Sequence, residues 1–184
     1  MPATVVIPAR FGSTRFPAKI LAAETGRPLV QHVVDRVKLC SRVRQTIVAT
    51  DDRRIVEALA PFGTTCVMTS ADHPSGTARI AEVARGLTDD VVVNVQGDEP
   101  EIEPEVIDGL IARMEAHPDD MATAATPFPE GAEVENPNLV KVVLALSGHA
   151  VYFSRSPIPH HRDRSGEVPK YFLHLGIYAY RREF

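Results

Sequence analysis

The chain has 184 residues, 44% of them hydrophobic and 24% charged, with a formal net charge of −4. That length suits one domain burying about 70% of its unfolded surface, and the charge gives no global attraction to nucleic acid or an anionic membrane. No stretch approaches the roughly 20 apolar residues of a membrane span, and Met1-Pro2-Ala3-Thr4 carries no charged leader region, which predicts a cytoplasmic protein.

Thr4 to Ile7 are β-branched or apolar without interruption, as in a strand covered on both faces of a parallel sheet. Pro8 lacks a ladder N–H and is expected to end that strand. The following loop, Ala9 to Lys19, holds Gly12 and the cations Arg10, Arg15 and Lys19. Gly12 opens backbone angles that let successive N–H groups converge on an anion, although the spacing matches neither G-x-x-x-x-G-K-[ST] nor G-x-G-x-x-G. The loop is either a solvated basic turn or an anion nest. Its position beyond the carboxyl end of a first strand favours the nest.

Leu29, Val30, Val33, Val34 and Val37 recur at helical intervals and predict a helix over 29–39. Gln45–Thr50 reads as a second strand, Asp51 or Asp52 as the cap of a helix burying Ile55, Val56 and Leu59, and Thr64–Met68 as a third strand. A polar loop, Thr69–Arg79, enters another helix with Ile80 and Val83. His73 has no companion at metal-ligand spacing. Val91–Val95 is the clearest central strand and delivers Gln96-Gly97-Asp98-Glu99-Pro100 to the same sheet edge as the basic loop. There Asp98 either terminates the strand in a polar turn or serves Mg²⁺, which takes one or two carboxylates and completes its shell with water and phosphate oxygens. Pro104 suits the first turn of a helix running to Met114. Met121–Thr126 forms another strand, and Leu139–Leu144 with Ala150–Phe153 forms an antiparallel hairpin around Ser147-Gly148-His149. His160, His161, Arg162 and Arg164 read as a polar loop. Cys40 and Cys66, lacking metal or disulfide spacing, read as small buried hydrophobes. Alternating strands and helices predict an α/β fold with a doubly wound, mostly parallel sheet and a small antiparallel hairpin lobe.

Several ordered blocks carry a family resemblance. Ile-Pro-Ala-Arg-x-x-Ser-Thr-Arg-x-Pro-x-Lys, the His-x-Ser-Gly-Thr-x-Arg segment at 73–79, Val-Gln-Gly-Asp-Glu-Pro, Phe-Ser-Arg-Ser-Pro-Ile-Pro and His-Leu-Gly-Ile-Tyr resemble the 3-deoxy-manno-octulosonate (Kdo) cytidylyltransferases. The resemblance implies a nucleotide-diphospho-sugar transferase-like fold and transfer of CMP from CTP to the anomeric hydroxyl of Kdo, releasing pyrophosphate, for lipopolysaccharide biosynthesis. It implies Arg10, Lys19 and Asp98 as catalytic residues. Arg10, Ser13, Arg15, Lys19, Ser75, Gly76 and Arg79 would hold the nucleotide, Gln96, Arg155 and His174 the sugar, and Asp98 the Mg²⁺. A planar Arg fork also matches a sugar carboxylate physically.

One nucleotidyltransferase domain over 1–184 is expected, with a nucleotide-binding core at 1–130 and a hairpin, sugar-binding and dimer region at 131–184. The partners are CTP and an acidic sugar, with a homodimer and neither nucleic acid nor membrane. Family members continue beyond the Gly-Ile-Tyr-x-Tyr-Arg block with a second magnesium aspartate, which implies that the C-terminal part of the family domain is missing. Ala18 stands where the family often has glycine, and this restricts the loop. Two other readings stay open: a sialic-acid or other nucleotide-sugar transferase of the same fold, and a CTP-binding module without turnover.

Overall fold

The computed structural model describes residues 2–12, 16, 18–129, 131–162 and 169–184. They form two compact units, one of Met1–Ala122 with Ile177–Phe184 and one of Thr123–Gly176. In the first, strands β1 (Ala3–Ala9), β2 (Gln45–Thr50), β3 (Cys66–Met68) and β4 (Val91–Asn94) are parallel in the order β3-β2-β1-β4. The helices are α1 (Leu29–Val37), α2 (Arg53–Leu59), α3 (Gly76–Ala84) and α4 (Pro104–Ala116).

The apolar runs explain this layering. Val6, Ile47, Ala49 and Val92 make one buried sheet face, which Ile80 and Val83 of α3 cover. The alternate residues Val5, Ile7, Val48 and Val93 have no exposed surface either, so both faces are closed. α1 and α4 touch each other and reach β1 and β4 respectively. Ile107, Ile111 and Met114 of α4, at i, i+4 and i+7, are fully buried, each stabilising by about 1.5–3 kcal/mol. Pro104 occupies the first turn of α4, and Asp52 caps α2 by accepting the amide of Arg54. The side chain and amide of Arg54 hold the Asp52 carboxyl at about 2.

β1 does not stop at Pro8. It pairs with β2 through Pro8 and Ala9. Val6 presents its carbonyl to Val95 on the β4 side, so Pro8, two residues on, aims its absent donor to that side as well. The β4 ladder ends opposite Val6, at Asn94, and no bond is lost.

A strand not recognised in the sequence, β8 (Phe172–Arg181), runs antiparallel to β4, with Tyr178 opposite Asn94 and Arg181 opposite Val91. Ile177–Phe184 group with the first unit, because β4 takes its antiparallel partner from them.

In the second unit, β6 (Lys141–Leu144) and β7 (Ala150–Ser154) form the expected hairpin, and β6 also pairs with the start of β8 at Phe172 and Leu173. β5 (Met121–Pro127) pairs with β8. Among the described residues no helix is long and apolar enough to cross a membrane.

Both cysteines are free and half-buried. Burial, together with the carboxylates of Asp108 and Glu105, pushes the Cys40 thiol up to about 12, and burial raises Cys66 as well. Both shifts work against formation of the reactive thiolate. A disulfide reagent such as DTNB should therefore label the native protein many-fold more slowly than the urea-unfolded chain.

Candidate active site

Two loops and one strand end converge at the carboxyl edge of the first unit's sheet. After β1, Arg10 extends Nη2 to the carbonyl of His73 at 3.1 Å. Phe11 lies beneath the Arg54 guanidinium, 3.4 Å from ring centroid to Cζ. The amide of Ala18 closes the loop by donating to the carbonyl of Phe11. Lys19 opens a short 3₁₀ turn, Lys19–Leu21, whose Ile20 is buried. Ala18 itself sits at φ 57°, ψ 22°, the left-handed conformation that glycine adopts at little cost and alanine does not. The restriction expected at this position is thus a strained alanine just before the lysine.

Gly97 follows β4 where the chain passes under this turn. A Cβ on it would lie 2.8 Å from Ile20 Cδ1, 3.1 Å from the Pro8 carbonyl oxygen and 3.4 Å from Ile7 Cγ2. Only glycine fits without displacement. This approach sets Asp98 beside Lys19: Nζ donates to Oδ2 at 2.8 Å, with both side chains close to half exposed. Partial desolvation, and secondarily the Asp98 charge, raise the Glu99 carboxyl, while Lys19 opposes the rise. Among the described residues no group of three or more His, Cys, Asp or Glu could enclose a metal ion. Gln96 donates from Nε2 to Asn94 Oδ1 at 3.2 Å, and Asn94 is buried.

The second loop reaches the same edge through α3. Ser75 caps that helix, its Oγ accepting from the amide of Ala78 at 3.1 Å. Gly76 packs against Pro8, where an added Cβ would meet Cγ at 3.3 Å. Glu82 ties the loop down, accepting from the Ser70 amide at 3.0 Å and contacting His73 Nε2. The His73 bond and the Ser70 amide hold its carboxyl below the usual range. Arg79 is closed off from solvent: Nη2 donates to Asp51 Oδ2 at 2.6 Å and Nη1 to Thr69 Oγ1, while Nε has no partner. Its guanidinium ties the ends of β2 and β3 to α3 from beneath.

The structure thus gathers Arg10, Lys19, Ser75, Gly76, Gln96 and Asp98 at one edge, with Arg79 buried behind them. Ser13 and Arg15, like Arg164, lie outside the described residues. Arg155 and His174 belong to the second unit. There Arg155 is exposed and donates from Nη1 to the Pro137 carbonyl at 2.6 Å. His174 Nε2 lies 2.9 Å from Thr123 Oγ1, its ring meets Phe153 edge-on at 4.8 Å, and desolvation holds it below its ordinary value. Sequence reasoning did not single out Asp51 and Thr69 as partners of Arg79, nor the clearance at Gly97. Asp51, directly after a strand at the ligand edge, was the available signal. A separate cavity of about 360 Å³ opens at the opposite, amino edge of the strands, between the end of α1 and the residues preceding β3.

A cytidylyltransferase family model matches residues 4–184. The 3-deoxy-manno-octulosonate cytidylyltransferase of Solibacter usitatus is 48% identical over 180 residues, covering 97% of this chain and 71% of that protein. The enzyme of the same name from Desulfosudis oleivorans is 50% identical over 188 residues, covering 100% and 75%. A solved structure of CMP:2-keto-3-deoxy-manno-octonic acid synthetase complexed with CTP superposes with a TM-score of 0.92 at 42% identity, covering 100% of this chain and 75% of that one.

Two substitutions test the loop geometry by denaturant unfolding. Gly97→Ala should cost about 1–3 kcal/mol, because its Cβ meets main-chain oxygen as well as Ile20. Ala18→Gly should instead gain about 1 kcal/mol by removing the left-handed alanine.

Proposed function

Because the chain belongs to the cytidylyltransferase family, and within it to the 3-deoxy-manno-octulosonate cytidylyltransferases, it is a nucleotidyltransferase, and we propose that it transfers CMP from CTP to the anomeric hydroxyl of Kdo, releasing pyrophosphate. The observation that carries this reading is the Lys19–Asp98 pair at 2.8 Å, a cation and a carboxylate from the loops that follow two adjacent strands, at the edge where α/β sheets bind ligands.

Transfer at the α-phosphorus needs no protein nucleophile. It needs the triphosphate oriented and its charge offset as pyrophosphate leaves. Arg10, Ser13, Arg15 and Lys19 are the residues we assign to the phosphates. The N-terminus of α3, with Ser75 and Gly76, is assigned to the cytidine. Arg79, being buried, acts as a positioning residue through Asp51 and Thr69. For the acidic sugar the second unit offers Arg155, whose fork matches a carboxylate, and His174, whose proton affinity desolvation lowers.

Asp98 suits Mg²⁺: a half-exposed carboxylate with Glu99 beside it is the sparse donor set of a magnesium site completed by phosphate oxygens and water. Bound there, the ion would supply charge neutralisation for the phosphates. Lys19 would then turn from Asp98 to phosphate.

The hairpin suits a homodimer. Val151, Tyr152 and Phe153 of β7 are exposed in succession at 65%, 57% and 43%, and Leu146 at the turn is fully exposed. Consecutive apolar exposure on one strand marks an association surface. The use of CTP fits a cytoplasmic location.

Pyrophosphate release from CTP should depend on Kdo and Mg²⁺, stop with EDTA, and fall at least about 100-fold in Asp98→Ala. Calorimetric titration of that variant should still detect CTP. Release that survives in Asp98→Ala would remove this residue from the reaction, and CTP binding without release from the wild-type chain would support a binding module instead. By sedimentation the wild-type chain should be a dimer at micromolar concentration, and Tyr152→Glu should shift it to monomer.

A further inference from the structure

Lys141 stands in β6, the middle strand of the second unit, yet it retains no exposed surface. Lysine is seldom fully buried without a partner anion. Here the ammonium bonds go to carbonyls: Nζ donates to the oxygen of Asn136 and to that of Arg155, each at 2.9 Å. The ring of Phe128 lies 6.0 Å away, at the limit of cation–π range. Desolvation lowers its proton affinity, so the charge is held at a cost.

The two carbonyls belong to different segments. Asn136 begins the turn before β6, organised by its own side chain accepting the Asn138 amide and its carbonyl accepting the Leu139 amide. Arg155 directly follows β7. Its guanidinium returns to the same turn, Nη1 reaching the Pro137 carbonyl. Turn and arginine are thus stapled twice, once through the Arg155 backbone by Lys141 and once through its side chain. With Nη1 committed to Pro137, the edge formed by Nε and Nη2 is left to receive a planar anion side-on.

We propose that Lys141 is a positioning residue for the acidic sugar: by holding the Arg155 backbone against the 136–139 turn, it fixes which edge of the Arg155 guanidinium grips the sugar carboxylate. This rests on the assignment of Arg155 to the sugar. The double anchoring removes freedom from a long side chain before the ligand arrives, so less entropy is lost on binding. Its effect therefore appears in sugar affinity rather than in nucleotide affinity.

Steady-state kinetics of Lys141→Met, Lys141→Gln, Arg155→Ala and the Lys141→Met/Arg155→Ala double variant test this, with thermal unfolding of each. Lys141→Met should raise KM for Kdo at least about 10-fold and leave KM for CTP within about twofold. Lys141→Gln, which keeps two N–H donors without the charge, should recover much of the loss and carries the test if Lys141→Met fails to fold. The double variant should be no worse than Arg155→Ala alone. A normal KM for Kdo in both Lys141 variants, or equal rises in the two KM values, would overturn the proposal while leaving Arg155 in place. An unchanged KM for Kdo in Arg155→Ala would overturn the assignment of Arg155 itself and the proposal with it.

Discussion

At Gly97 the main chain passes so near Pro8 and Ile20 that no side chain can stand between them, and the relation between β4 and the loop after β1 is fixed by this contact. Asp98 is the next residue and Lys19 precedes Ile20, so one close approach determines the distance between a carboxylate in the loop after β4 and an ammonium in the 3₁₀ turn of the loop after β1. The pair is half exposed, and its own contribution to stability is small, within about 1 kcal/mol. Packing beneath it does the positioning. The same Pro8 meets Gly76 at the start of α3, so a single proline at the end of β1 sets both loops that border the site.

Charges behind the site are handled differently from those facing it. Arg79 is withdrawn from water and joined to Asp51 and Thr69, a arrangement that locks three chain segments and leaves one guanidinium nitrogen unbonded. Breaking such a pair by removing one partner strands the other charge, which costs far more than the pair itself contributes. Lys19 and Asp98 remain wet and can exchange partners at little cost. Rigid support behind and mobile charge in front is what a site needs if its ligand brings several negative charges of its own.

The parallel core was legible because its signals are local: continuous β-branched runs, helical apolar spacing, Asp52 as a cap and Pro104 in a first turn. The hairpin was legible from Ser147-Gly148-His149 between two apolar runs. β8 was not, because His174 and Gly176 interrupt the apolar residues of Phe172–Arg181 and most of the strand is only partly buried, giving neither a clean alternation nor a continuous run. Pro8 misled because a missing donor matters only on the side where a neighbour needs it. Arg79 shared a motif with Ser75 and Gly76, and sequence spacing does not reveal that its side chain is buried while those two residues stand at the start of α3. Asp98 and Lys19, 79 positions apart, were grouped by their places after successive strands, which is the kind of proximity that sheet topology makes readable.

The return of Ile177–Phe184 to the first unit also has a consequence for the order of assembly. Residues 2–122 hold every parallel strand, but β4, paired with β1 on one side, obtains its second neighbour only from the end of β8, after the whole of 123–176 has been made. At about 5–20 residues per second, β4 emerges roughly 4–17 s before the strand that covers its edge. During synthesis the nascent sheet therefore waits with an unpaired valine-rich border, and closing it requires bringing together segments far apart in sequence, the slow class of contact in folding. A chaperone that shields extended apolar strands would have its longest opportunity to act on this protein in that interval.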